Sequence, residues 1–203
     1  MDDDVLRLLR RYGTSEIWMD TVWLGRRALK CPLDLWMYQE IIFRTRPDLI
    51  VETGTASGGS ALFLASICDL LGHGRVVSID IEKQARPRHE RITYLNGSSL
   101  DVNVNAEGRT MVILDSDHSK DHVLAELRRF APLVSPGCYL IVEDTSVGMV
   151  LPEFGPGPAE AVAEFLTEAD LFEIDRDCEK FLLTFNPGGY LRRKDADGTL
   201  ESS

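Results

Sequence analysis

Acidic side chains end several short apolar segments of this chain, and their positions indicate a binding site. Each segment has the length and the aliphatic content of a buried parallel strand. Ligands of such sheets bind outside the carboxyl ends of the strands. We therefore expect the acids at the strand ends to line one cleft, and they are Glu52, Asp80, Asp115, Glu143 and Asp144.

A glycine-rich loop follows the first strand. Residues 48–60 read Asp-Leu-Ile-Val-Glu-Thr-Gly-Thr-Ala-Ser-Gly-Gly-Ser, and an apolar helix is predicted from Ser60. Gly54 stands where the backbone must turn, and Gly58 and Gly59 remove Cβ atoms where a ligand could lie against the chain. Glu52 would repel a phosphate and suits a cationic ligand. The loop therefore predicts a cofactor site, and the carboxylate argues against a dinucleotide.

The second predicted strand, residues 75–80, ends at Asp80, 26 residues beyond Gly54. This is close to the spacing at which nucleotide-binding α/β folds place a carboxylate on ribose hydroxyls. We interpret Asp80 as the ribose acceptor, and the nearby Glu82 could replace it. Small polar residues after the third strand, Ser98 among them, could line the adenine end of the same cleft.

The composition indicates one acidic globular domain. The 203 residues include 22 Lys and Arg and 33 Asp and Glu, which gives a formal net charge of -11. A protein of this charge is repelled by nucleic acid and by anionic membranes, so neither is expected as a partner. The start Met-Asp-Asp-Asp lacks the basic residues and the apolar run of a signal peptide, so we expect a cytoplasmic protein. Four separated cysteines without a Cys-x-x-Cys pair are predicted to be reduced and mostly buried.

Strands and helices alternate along most of the chain, which predicts an α/β protein with a doubly wound, mostly parallel seven-stranded sheet. Residues 171–175 and 180–185 are predicted to add a C-terminal β-hairpin. Residues 1–46 are expected to form a helical cap on the substrate side, in which Asp34 is the N-cap of a helix. Residues 47–191 would bind the cofactor, and the polar residues 192–203 would be a disordered tail. The long loop over residues 145–158 is typical of segments that cover active sites.

The ordered set of motifs resembles the class I S-adenosylmethionine-dependent methyltransferases and, among them, the cephalosporin hydroxylase and rhamnosyl O-methyltransferase-like family. The resemblance spans most of residues 18–192. It rests on the glycine loop, Val-Ser-Ile-Asp80, Lys30-Cys-Pro-Leu-Asp34, Asp115-Ser-Asp-His118, Glu143-Asp144 and Asn186-Pro-Gly-Gly-Tyr190. It implies S-adenosylmethionine (SAM) as cofactor, with Asp80 on its ribose. The other implied cofactor contacts are Glu52, Gly54, Thr55, Gly58, Ser60, Ser98 and Asp115.

The same resemblance implies a metal ion. Related sugar O-methyltransferases hold Mg²⁺ with an Asp after the fourth strand and an acidic pair after the fifth, which here are Asp115, Glu143 and Asp144. Oxygen ligands favour Mg²⁺ or Ca²⁺ over zinc. Asp117 and Asp121 compete with Asp115 as ligands or as helix caps.

His118 matches the position at which these relatives carry a catalytic histidine. Imidazole transfers protons well near neutral pH, so His118 is predicted to take the proton of the acceptor hydroxyl. The other histidines, His73, His89 and His122, have no such context and are interpreted as surface residues.

The predicted function is a Mg²⁺-dependent O-methyltransferase that acts on a hydroxyl of a small molecule, such as a sugar of a natural product. Three alternatives stay open: a hydroxylation or methoxylation enzyme of the same family, an NAD-dependent oxidoreductase, and a non-catalytic binding or assembly protein. The chain shows no 2-His-1-carboxylate set for iron and no true Gly-x-Gly-x-x-Gly. Because few residues are left to enclose a substrate, we also predict a homo-oligomer.

Overall fold

The computed structural model describes residues 2–195. The strands are β1 (Val22–Trp23), β2 (Arg26–Arg27), β3 (Leu49–Thr53), β4 (Arg75–Asp80), β5 (Ile92–Asn96), β6 (Thr110–Leu114), β7 (Tyr139–Val142), β8 (Phe172–Ile174) and β9 (Tyr190–Arg193). The last seven form one sheet in the order β5-β4-β3-β6-β7-β9-β8, and β1 pairs with β2 in a separate ribbon.

The parallel part of the sheet runs from β5 to β7. Its strands are apolar on both faces, and Leu49, Ile50 and Val51 of β3 are fully buried. The chain proceeds from β3 outward to β5 and then returns to β6 on the other side of β3. The strand order therefore reverses between β3 and β6, the position at which open α/β sheets form a ligand crevice.

Helices cover the sheet. They are α1 (Asp3–Thr14), α2 (Pro32–Thr45), α3 (Gly59–Leu71), α4 (Lys120–Phe130), the short α5 (Val147–Val150) and α6 (Pro158–Glu168). Helix α2 packs against α3, and α4 packs against α6. The predicted fold class is confirmed, since β3 to β7 form a parallel sheet that helices cover and an antiparallel pair of strands extends it to seven. None of the helices described in residues 2–195 is long and apolar enough to cross a membrane.

The C-terminal hairpin is present, but its predicted second strand is wrong. Strand β8 matches the expected segment, whereas its antiparallel partner is β9 (Tyr190–Arg193) and not residues 180–185. Thr184 and Phe185 instead donate hydrogen bonds to the buried carboxylate of Asp34, which diverts this segment from the sheet. Arg192 and Arg193, expected in the tail, lie in β9, and residues 196–203 of that tail lie outside the described part of the chain.

Asp34 is therefore not the N-cap of α2. Cys31 occupies the cap position, and Asp34 is buried in the first turn. Its carboxylate accepts hydrogen bonds from Thr184, from the Phe185 backbone and from the Tyr190 hydroxyl. The Asp34 side chain thus joins α2 to the C-terminal segment and does not accept a hydrogen bond from the backbone N–H groups at the start of its own helix.

Two further expectations concern single features of the fold. The four cysteines are buried and unpaired, as predicted. The segment 145–158 is more regular than expected, because it contains α5 and a 3-10 turn over Pro152–Phe154.

Candidate active site

A cavity of about 630 Å³ opens at the carboxyl ends of the parallel strands, within the usual size of small-molecule sites. The N-terminal segment reaches its wall through Trp18 and residues 27–29. Eight of the predicted site residues line the cavity, namely Gly54, Thr55, Ser60, Asp80, Ser98, Asp115, His118 and Asp144. Glu52, Gly58 and Glu143 lie outside its wall.

The glycine loop is fixed by close contacts with other backbone segments. Gly54 has φ 81°, and a Cβ at this position would lie 1.8 Å from the carbonyl oxygen of Asp115. A Cβ at Gly59 would lie 2.0 Å from the carbonyl oxygen of Arg27. Gly58 is the N-cap of α3, and its backbone adopts the left-handed conformation with φ 78°. These glycines therefore allow the loop to pack on β6 and on the N-terminal segment, and among them only Gly54 reaches the cavity.

Glu52 lies buried beside the cavity, at the end of β3. Its Oε2 accepts a 2.6 Å hydrogen bond from the Ser78 hydroxyl, while Oε1 has no hydrogen-bond partner among the described residues. Burial raises the pKa of Glu52, and the positive charge of Lys30 opposes that shift. A buried acceptor without a donor is costly, roughly 1–3 kcal/mol. Glu52 is fully buried behind the cavity wall, so the structure does not bring this predicted cofactor contact to the cavity surface.

Asp80 ends β4 and anchors the loop. Its Oδ2 accepts a 2.8 Å hydrogen bond from the Ala56 backbone N–H, and its Oδ1 accepts one of 2.8 Å from that of Glu82. Arg86 Nη2 lies 3.3 Å from Oδ2. A carboxylate can accept about four hydrogen bonds, so Asp80 keeps capacity for ligand hydroxyls. The alternative acceptor, Glu82, also lines the cavity.

Three side chains converge where β6 and β7 end. Oxygen atoms of Asp115 and Asp144 and a ring nitrogen of His118 lie within 4.8 Å of one another. His118 Nε2 is 3.3 Å from Asp144 Oδ2 and 4.0 Å from Asp115 Oδ1. The two carboxylates of this group are of the ligand type that divalent cations such as Mg²⁺ prefer, and the His118 ring lies next to them.

Glu143, the third predicted ligand, is paired with a lysine that was not among the predicted site residues. Lys30 Nζ lies 2.6 Å from Glu143 Oε1 and also forms an ion pair with Asp115. Both Lys30 and Glu143 are buried. The lysine precedes α2, far in sequence from either acid, so neither local pattern nor spacing pointed to this contact.

Burial and like charge shift the pKa values of the carboxylates. Burial, and next the negative charge of Asp115, raises the pKa of Asp144 to about 6. The same two causes hold the pKa of Glu143 well above its usual range, although Lys30 opposes the shift. Burial alone would lower the pKa of Lys30, but the charges of Asp115 and Glu143 outweigh it and the pKa is raised. The site therefore concentrates negative charge and attracts cations.

The two competing acids are placed differently from Asp115. Asp117 is exposed, and its Oδ1 accepts a 2.7 Å hydrogen bond from the Ser119 backbone N–H. Asp121 is exposed in the first turn of α4. Among these acids, Asp115 alone belongs to the group with His118 and Asp144.

His122 is not the surface residue that we expected. It lines the cavity, and its Nε2 lies 3.0 Å from the Ser116 hydroxyl and 3.6 Å from Glu126 Oε1. Ser116 also donates a 2.8 Å hydrogen bond to that oxygen of Glu126. His122 is the third residue of α4, and its side chain lies near the carboxyl ends of the strands. The residues around it in the sequence did not indicate this position.

The sequence matches the family model described as Rhamnosyl O-methyltransferase/CmcI over residues 15–194. A rhamnosyl O-methyltransferase of Mycobacterium bovis is 37% identical over 200 residues, an alignment that covers 90% of this chain and 82% of the relative. A protein of the same name from Mycobacterium leprae is 38% identical, with 90% and 87% covered.

Solved structures share the fold. A structure of CmcI with Mg and SAM has a TM-score of 0.70 at 22% identity and covers 87% of this chain and 78% of its own. The methyltransferase MycE from the mycinamycin biosynthetic pathway, in complex with Mg and SAH, has a TM-score of 0.50 at 22% identity. It covers 81% of this chain and 43% of its own.

Proposed function

Because the chain belongs to the rhamnosyl O-methyltransferase/CmcI family and is an O-methyltransferase by that membership, we propose that it transfers a methyl group from SAM to a sugar hydroxyl with the help of Mg²⁺. The observation that carries this proposal is the convergence of Asp115, His118 and Asp144 at the edge of a cavity that the glycine loop also lines. The names of the relatives support a sugar as the acceptor.

The residues of this chain fit both groups. Asp80, at the cavity wall, suits the ribose hydroxyls of SAM, and Glu52, buried behind the wall, places a carboxylate near the cationic methionine part. Thr55, Ser60 and Ser98 supply further polar groups at the cavity wall. Asp115 and Asp144 would hold the metal ion. Glu143 would be a third ligand, although its carboxylate is also paired with Lys30. Oxygen ligands of this kind suit Mg²⁺.

When bound, Mg²⁺ supplies positive charge that eases ionisation of an acceptor hydroxyl, and SAM supplies the methyl group. His118 receives the proton. Its Nε2 lies beside Asp144 Oδ2 at 3.3 Å, which leaves Nδ1 to accept a proton and allows the carboxylate to stabilise the imidazolium. The buried strand ends hold these groups in fixed positions, and such positioning is most of what a methyl transfer requires.

The first test is a calorimetric titration with SAM, with and without Mg²⁺, and with NAD as the control ligand. We expect SAM to bind and NAD not to bind. Transfer of a labelled methyl group should then be measured to a rhamnosyl glycoside and to the same compound without the sugar. Binding of NAD instead of SAM would overturn the proposal, and methylation of the sugar-free compound would overturn the assignment of the acceptor.

Two further expectations belong with this proposal. A homo-oligomer would provide material to enclose the acceptor, and light scattering measures it directly; a fully active monomer would contradict the expectation. A cytoplasmic location also stays a prediction.

A further inference from the structure

Lys30 is a buried cation inside the proposed metal centre. Its side chain is 2% exposed, and its ammonium pairs with Asp115 at the end of β6 and with Glu143 at the end of β7. The backbone carbonyl of Lys30 accepts a 2.9 Å hydrogen bond from the Thr21 hydroxyl, which fixes the segment before α2. A buried ammonium is costly unless it is paired. The two carboxylates therefore account for its position.

We propose that Lys30 is an internal counter-ion that competes with the divalent cation for Asp115 and Glu143 and thereby lowers the affinity of the site for metal. This inference rests on the proposed metal centre, because two of the three carboxylates assigned to the metal ion are paired with Lys30. The metal ion must share these carboxylates with the ammonium or displace it.

The charges of the site support this role. The charges of Glu52, Asp115 and Glu143 are close enough to Lys30 to raise its pKa, and the charge of Asp115 also raises the pKa values of Glu143 and Asp144. Among residues 2–195, Lys30 is the only Lys or Arg that forms an ion pair with Asp115, Glu143 or Asp144. It therefore balances part of a large negative charge in the metal-free protein, and it repels a divalent cation that comes to the same oxygens.

The test is calorimetric titration of the metal-free protein with Mn²⁺, which replaces Mg²⁺ at oxygen sites. The variant Lys30→Met removes the charge and keeps most of the side-chain volume. We expect it to bind Mn²⁺ at least about tenfold more tightly than the wild type, because like charge and competition are both removed. Lys30→Arg keeps the charge and should not bind more tightly. Lys120→Met, which removes a lysine paired with Glu164 at 2.7 Å, should bind as the wild type does.

The outcomes separate this inference from the function on which it rests. Equal or weaker binding of Mn²⁺ to Lys30→Met, with binding retained in the wild type, overturns the role of Lys30 alone. Absence of Mn²⁺ binding in every variant overturns the metal centre itself.

A wild-type measurement is used where Lys30→Met does not fold. The protein is labelled with ¹⁵N-lysine, and the ammonium resonance of Lys30 is assigned by its loss in Lys30→Arg. The metal-free protein is then titrated with Mg²⁺, which is diamagnetic, in place of Mn²⁺. We expect the Lys30 resonance to shift on addition of Mg²⁺ and the Lys120 resonance to stay in place. An unchanged Lys30 resonance at saturating Mg²⁺ overturns the inference.

Discussion

The backbone N–H of Asp144 donates a 2.9 Å hydrogen bond to the side-chain oxygen of Asn186. Asp144 has φ 55°, a left-handed conformation that is uncommon for residues other than glycine. Asn186 is fully buried, and its amide donates a 3.0 Å hydrogen bond to the Tyr38 hydroxyl. The C-terminal segment thus holds the backbone of a proposed metal ligand in a conformation that it would not adopt readily alone.

Replacement of Asn186 by Ala should therefore affect both stability and metal binding. It leaves the buried Asp144 N–H without its acceptor and removes one donor from the Tyr38 hydroxyl, at a cost of about 1–3 kcal/mol in the free energy of unfolding. Chemical denaturation and Mn²⁺ titration measure the two effects. Asn105→Ala is the control, because Asn105 is exposed and bonds only to Glu107. Equal losses in the two variants would contradict this role of Asn186.

Gly54 and Gly25 provide a matched pair, since both have φ 81°. At Gly25 an added Cβ meets nothing within 4 Å, whereas at Gly54 it meets the carbonyl of Asp115. We expect Gly25→Ala to cost about 1–2 kcal/mol through backbone conformation alone. Gly54→Ala should cost clearly more and weaken SAM binding, because the loop must move away from β6. Chemical denaturation of both variants measures the difference, and equal stability would contradict the close approach.

The proton acceptor can be distinguished from a metal ligand by His118→Asn. We expect kcat to fall by roughly 10²–10⁴, while Mn²⁺ and SAM bind nearly as in the wild type. His73→Asn, at a residue 3.2 Å from Asp48 and outside the cavity, is the control. A parallel loss of Mn²⁺ binding in His118→Asn would mean that His118 is a ligand of the metal and not the base.

Asp115 and Asp117 are two residues apart and have different roles in the structure. Asp115→Asn should weaken Mn²⁺ binding at least tenfold, because it removes a charged ligand from the cluster. Asp117→Asn should leave Mn²⁺ binding unchanged and cost at most about 1 kcal/mol, since an amide oxygen can still accept the Ser119 N–H. Calorimetry separates the two variants. Weaker metal binding in Asp117→Asn alone would reverse the assignment.

The apolar strands and the strand-end acids were predictable because both signals are local in the sequence. Leu49 to Val51, for example, form a continuous apolar run, which requires burial on both faces of a sheet. The contacts of Lys30 and Asp34 were not predictable, because each depends on residues more than 80 positions away. The same limit explains β9. Residues 180–185 have the composition of a strand, but the Thr184 hydroxyl and the Phe185 backbone N–H donate their hydrogen bonds to the buried carboxylate of Asp34 and not to a neighbouring strand.

Metal binding should weaken as the pH falls through about 6. Burial and the charge of Asp115 raise the pKa of Asp144 to about 6, well above the usual range of an aspartate, so the metal-free site binds a proton where an ordinary aspartate would not. Below that pH the proton competes with the metal, and the affinity for Mn²⁺ should fall by about tenfold per pH unit.

The raised pKa of Asp144 also means that the metal-free protein loses stability as the pH rises from about 4 to about 6, because ionisation of Asp144 is less favourable in the folded state. Mn²⁺ titrations between pH 5 and 8 and thermal unfolding between pH 4 and 8, with Asp144→Asn as the comparison, measure the two effects. An Mn²⁺ affinity that stays constant down to pH 5 would contradict the raised pKa.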